Sequence, residues 1–93
     1  MTATSVQTAQ LDLSVVIPSY NTRDLMEQAL RTVAEASGDI GVEVIVIDNN
    51  SHDGSADMVA EKFPEVELIR TERNLGFGGA NNVAFEHVQI FRF

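Results

Sequence analysis

The sequence contains no cysteine, which excludes a disulfide and any thiolate chemistry and agrees with a reducing interior. It is poor in cations. Six lysines and arginines stand against fourteen aspartates and glutamates, for a formal charge of -8. A chain this acidic repels nucleic-acid backbones and anionic membrane surfaces, and no basic cluster reverses the balance locally. No apolar run approaches the roughly 20 residues of a membrane-spanning helix. The opening MTATSVQTAQ lacks the basic flank and apolar core of a signal peptide. Residues 1–10 are expected to be a flexible leader and 11–93 the structured part. There are two prolines, Pro18 and Pro64, and each marks the edge of an element. What is present is 93 residues with 44% apolar content, enough for one small globular domain.

The apolar residues alternate between strand-like and helix-like patterns. LSVVIP (Leu13–Pro18) is a short β-branched run closed by Pro-Ser-Tyr-Asn, the mark of a buried strand entering a loop. Leu25, Met26, Ala29, Leu30, Val33 and Ala34 then recur at helical spacing. Asn21 or Thr22 can cap that helix, and Asp24 and Glu27 suit the positive end of its dipole. Gly38 and Gly41 close the segment. VEVIVID follows, and its unbroken Val44–Ile47 predicts a strand covered on both faces. A second helix is expected from near Asp53 to just before Pro64, with Ala56, Val59, Ala60 and Phe63 inward. VELIR (Val66–Arg70) reads as a third strand, NLGFGG as a glycine-rich turn and ANNVAFEHV as a third helix. The tail VQIFRF alternates like a strand.

Strand and helix in strict alternation predict right-handed parallel crossovers. The expected fold class is α/β, a Rossmann-like three-layer α/β/α arrangement with a mostly parallel sheet. Ligands of such sheets sit beyond the carboxyl ends of the strands. The three polar segments PSYN, DNNSHDG and TERNLGFGG all fall at that rim.

Each segment has a plain structural reading and a chemical one. Around Pro18 and Ser19, Tyr20 offers an aromatic face with a hydroxyl tip, suited to a base or a sugar; the plain reading is a capped loop. Asp48, at the last strand position, is a rigidly held acceptor for a base N–H or a ribose hydroxyl. Asn49, Asn50 and Ser51 add donors and acceptors, while Asp53 suits the cap of the helix that begins beside it; the plain reading is an Asx-rich turn. His52 has no partner at metal-ligand spacing. Gly76 to Asn81 mimics a dinucleotide fingerprint, yet Asn81 occupies the last glycine position and the loop follows the third strand rather than the first. A glycine-rich turn into a helix still brings N–H groups close to a phosphate, with Arg70 and Arg73 near enough to offset its charge. The plain reading is a tight turn under the sheet.

In combination, VVIPSYN, VIVIDNNSHDGS and NLGFGGANN, in this order and spacing, resemble the front half of a family-2 glycosyltransferase domain with the GT-A fold. The form GFGGANN is most similar to the rhamnosyltransferase-like members. The resemblance implies that Pro18, Ser19 and Tyr20 line a nucleotide pocket and that Asp48 contacts the base, commonly uracil or thymine. It implies that the Asn74–Asn82 segment, with Gly76 and Asn81, flanks the base and diphosphate, and Asn50 joins the candidate site beside Asp48. The implied substrate is a UDP- or dTDP-sugar whose glycosyl group passes to an acceptor hydroxyl. Full-length relatives are expected to use Mg or Mn held by a D-x-D motif after the next strand, and a later carboxylate as base. The sequence has no D-x-D, and HVQIFRF departs from the family pattern. The expectation is therefore a donor-binding half without catalytic or metal residues and without turnover of its own. A cytoplasmic location, or one at the cytoplasmic membrane face without insertion, follows from the resemblance. A homodimer through an exposed sheet edge or the tail is a further expectation. A non-catalytic α/β interaction domain and another nucleotide-binding α/β domain remain the alternatives.

Overall fold

The Val-Ile run at the centre of the chain becomes the middle strand of a parallel sheet. A computed structural model describes residues 11–88, with β1 (Leu13–Ser19), α1 (Arg23–Ser37), β2 (Val42–Asp48), α2 (Ser55–Lys62), β3 (Glu67–Arg70) and α3 (Gly76–Phe85) in order. The strands lie in the order β1-β2-β3, all parallel, and end in line, with Ser19 beside Asp48 and Asp48 beside Arg70. The leader, and the tail beyond Val88 read above as a strand, lie outside the described residues.

Alternation along β2 distributes its side chains to two cores. Val44 and Val46 pack with Ile17 and Leu68 against Met26 and Leu30 of α1 and Met58 and Val59 of α2. Ile45 and Ile47 face the other way, against Ala80 and Ala84 of α3 and against Val88. The chain is thus a three-layer α/β/α unit. Both isoleucines are fully buried, and each contributes roughly 1.5–3 kcal/mol of burial. The small alanines of α3 allow that helix to lie close to the sheet.

Three local expectations are corrected. Ala60 is exposed and Met58 is buried in its place, because α2 is rotated by about one residue from the expected phase. Of the glycines of NLGFGG only Gly76 makes a turn, at the first position of α3; Gly78 and Gly79 lie in the first turn of the helix. Neither Asn21 nor Thr22 caps α1 with its side chain. Asp53 does so from 30 residues away: its Oδ2 accepts the Arg23 N–H at 3.0 Å. Its Oδ1 accepts the Ser55 N–H at 3.0 Å and also the Ser55 hydroxyl. One carboxylate thereby satisfies orphan donors at the starts of two helices. Asn21 reinforces the link, donating its N–H to Ser51 Oγ at 2.9 Å and accepting the His52 N–H on its Oδ1 at 2.8 Å. Asn21 has a φ of 52°, a left-handed conformation that asparagine tolerates.

The Ser55 hydroxyl, and then the Arg23 and Ser55 backbone N–H groups, hold the Asp53 carboxyl below its ordinary value against the opposing effect of desolvation. A lowered folded-state pKa contributes stability that is present above the unfolded value, near 3.9, and is lost as pH falls through the folded one. Asp53→Asn is expected to melt at a lower temperature than the parent at pH 6, yet to lose less on acidification from about pH 4 to pH 3. Circular-dichroism melts across that range check this. Parallel acid limbs for parent and variant would remove Asp53 as the titrating group.

Candidate functional site

The ends of β1, β2 and β3 are stitched into one rim by backbone hydrogen bonds. The Asn49 N–H donates to the Ser19 carbonyl at 2.8 Å, and the Thr71 N–H donates to the Asp48 carbonyl at 3.0 Å. The Asn49 side chain then reaches the third loop. Its Oδ1 accepts the Leu75 N–H at 3.1 Å and its Nδ2 donates to the Gly76 carbonyl at 3.3 Å. Asn74 adds a local brace, with Oδ1 accepting the Gly76 N–H at 2.7 Å. Gly76 has a φ of 75°, which glycine adopts without strain, and this turns the chain into α3. Gly79 is fixed by space instead: a Cβ there would lie 2.8 Å from Leu75 Cβ.

These contacts shape an open cleft of about 230 Å³. Pro18, Ser19 and Tyr20 form its β1 side, and Asn49, Asn74, Gly76 and Phe77 the rest. Sites that enclose a whole drug-sized ligand run from roughly 300 to 1,000 Å³. The cleft is smaller than such a site and open to solvent on one side. Tyr20 is 46% exposed and Phe77 75%, so the cleft presents two aromatic side chains to solvent.

Asp48 lies next to this cleft without lining it. It is 3% exposed. Its Oδ2 accepts the Ser51 N–H at 2.9 Å, closing an Asx-type turn, while Oδ1 is buried with no hydrogen-bond partner among the described residues. Such an oxygen is unfavourable by about 1–3 kcal/mol unless something donates to it.

Four of the seven candidate residues, Pro18, Ser19, Tyr20 and Gly76, line the cleft. Asp48, Asn50 and Asn81 do not. Asn50 is half-buried with a φ of 67°, shaping the turn after Asp48, and Asn81 is half-buried within α3. Arg70 is engaged elsewhere: its Nη1 pairs with Asp57 Oδ1 of α2 at 3.1 Å. Asn49 was read from sequence only as a donor and acceptor beside Asp48, without its reach to the third loop, and Phe77 went unrecognised. A signal existed for Asn49, which follows the last strand residue and so turns inward if Asp48 faces the other way. Phe77 stood out only as an aromatic among glycines.

Among the described residues no group of three or more His, Cys, Asp or Glu side chains is placed to hold a metal ion. No helix among them is long and apolar enough to cross a membrane.

Known proteins share this frame. The chain is 38% identical over 72 residues to the succinoglycan biosynthesis protein ExoO of Rhizobium meliloti, covering 76% of this chain and 20% of that protein. It is 34% identical over 70 residues to an N-acetylglucosaminyl-diphospho-decaprenol L-rhamnosyltransferase of Mycobacterium tuberculosis, covering 75% of this chain and 22% of the enzyme. Among solved structures it matches the mannosyltransferase PcManGT of Pyrobaculum calidifontis, in complex with GDP-Man and Mn2+, with a TM-score of 0.70 and 31% identity. That match covers 82% of this chain and 24% of the mannosyltransferase. The chain thus spans between a fifth and a quarter of the length of these proteins. The model of glycosyl transferase family 2 matches residues 14–89, and the chain belongs to that family.

Proposed function

We propose that the cleft takes the nucleotide of a nucleoside diphosphate sugar, of the UDP or dTDP type, as part of the donor site of a glycosyl transferase. The observation that carries this reading is the cleft itself, walled by Tyr20 and Phe77 at the rim where the parallel strands end, with Asp48 Oδ1 buried beside it and unpartnered among the described residues. Uracil and thymine each carry an N–H between two carbonyls, and such a donor would satisfy that oxygen once a small shift of the rim opens it to the cleft. Guanine also has an N–H beside a carbonyl, so the GDP-Man complex of the mannosyltransferase is chemically compatible with the same acceptor. Asn50 and Asn81 belong to this reading as polar neighbours of the base and diphosphate.

The 93-residue chain is expected to show no sugar transfer. It contains no D-x-D. The acidic side chains among the described residues form no group placed to hold a divalent ion such as the Mn2+ of the mannosyltransferase complex. The proposed setting is cytoplasmic, where nucleotide sugars would meet the cleft.

Nuclear magnetic resonance titration tests the reading. UDP and dTDP should bind with a Kd on the order of a millimolar, the affinity that about 4 kcal/mol sustains. Shifts should centre on residues 18–20, 48–51 and 74–77, and NAD, whose adenine can stack but lacks the imide N–H of uracil and thymine, should produce smaller ones. Equal response to NAD, or no response to any nucleotide, would overturn it.

A further inference from the structure

The structure supplies a second aromatic side chain to the cleft, and we infer that Phe77 is a base-stacking residue. This rests on the cleft being the nucleotide site and adds how the ring is gripped. A lone exposed phenylalanine needs no explanation. Phe77 is not in that position: it lines a concave site, and the other aromatic residue there, Tyr20, comes from the loop after β1. At 75% exposure its ring has little of its own protein to pack against. Its backbone is nevertheless held firmly. The two residues before it are tied by Asn49 on both the Leu75 N–H and the Gly76 carbonyl, and by Asn74 on the Gly76 N–H. A large apolar ring on a braced backbone, open to this cleft, is suited to stacking.

Stacking and hydrogen bonding divide the work differently. Every nucleobase has a π-face, so a stacking ring raises affinity for all of them alike. A fixed acceptor such as Asp48 Oδ1 discriminates between them by where their N–H groups lie. Phe77 should therefore set strength without setting choice.

The test compares Phe77→Ala and Phe77→Trp with the parent chain, using UDP, dTDP, GDP and ribose 5-phosphate. Because the ring is exposed, Phe77→Ala should keep the parent's melting temperature. It should weaken UDP, dTDP and GDP by a common factor of roughly tenfold and leave any ribose 5-phosphate binding unchanged. The sequence has no tryptophan, so Phe77→Trp introduces a single reporter. Its fluorescence should be quenched by the three nucleotides and not by ribose 5-phosphate. Parent-like affinities in Phe77→Ala, or an unquenched tryptophan in a variant that still binds, would overturn the role of Phe77 while leaving the cleft a nucleotide site. A parent chain that binds no nucleotide would overturn both.

Discussion

Replacing Asp48 with alanine is expected to remove base-selective nucleotide binding and leave the domain folded, with a melting temperature close to that of the parent. Two opposing changes act on stability. The Ser51 N–H loses a charge-assisted partner at 2.9 Å, worth about 1.5–3 kcal/mol. The unfavourable burial of the partnerless Oδ1, about 1–3 kcal/mol, disappears at the same time. The net change is small. Binding has no such compensation, because the lost acceptor removes about 1.5–3 kcal/mol from the complex, roughly a ten- to hundredfold loss. Asp48→Asn should fall between, since its carbonyl can still accept but carries no charge. Affinity by titration and stability by thermal melting separate the outcomes. Binding and melting temperature falling together across the series would make Asp48 a turn residue and nothing more.

Asn49→Ala should instead be a stability variant. Asn49 is 3% exposed, and its amide holds one donor and one acceptor of the third loop. Truncation leaves the Leu75 N–H and the Gly76 carbonyl without those partners in a partly buried setting. The expected loss is about 2–3 kcal/mol, against a total stability of roughly 5–14 kcal/mol for a chain of this length. That lowers the melting temperature by roughly 10–20 °C. Asn49→Asp should be no better, because a carboxylate still accepts from Leu75 but faces the Gly76 carbonyl with no proton to give. Below the transition, amide resonances of residues 74–77 should shift most. A melting temperature within 2–3 °C of the parent, roughly half a kcal/mol, would mean that the loop is held by its own turn geometry.

The layers were readable in the sequence because β-branched runs and helical spacing carry strong, local signals. Val44–Ile47, four β-branched residues in a row, pointed to a strand covered on both faces, and its alternation into two cores follows from the pleat. The start of α3 was not readable. Each glycine disfavours a helix by about 1 kcal/mol relative to alanine, so three in four residues argue for a turn. Packing decides otherwise, and the close approach of Gly79 to Leu75 shows one of the contacts that a larger residue would block. Asp53 was legible as the cap of α2, but its second role, at α1, was hidden for a related reason. Capping rules look a few residues along the chain, whereas its Oδ2 serves a donor 30 residues away. In α2 the alternatives Ala60 and Met58 differ by a small rotation, and eight residues give too few turns to fix the phase. In the site, Tyr20 and Gly76 were legible as chemistry placed at strand ends. The inward reach of Asn49 and the outward ring of Phe77 depend on how the rim is tied together.

The side on which each helix lies has a directional consequence. Right-handed crossovers through α1 and α2, both on one face, carry the chain from β1 to β2 to β3. α3 lies on the opposite face and packs over β2 and β1. A right-handed connection on that face moves back across the sheet, so a parallel strand following it would join beyond β1, whose far edge is unpaired among the described residues. The sheet would then grow in two opposed directions from a seam at β1. Loops leaving such a seam diverge above and below the sheet, opening a crevice beside Ser19 and Tyr20.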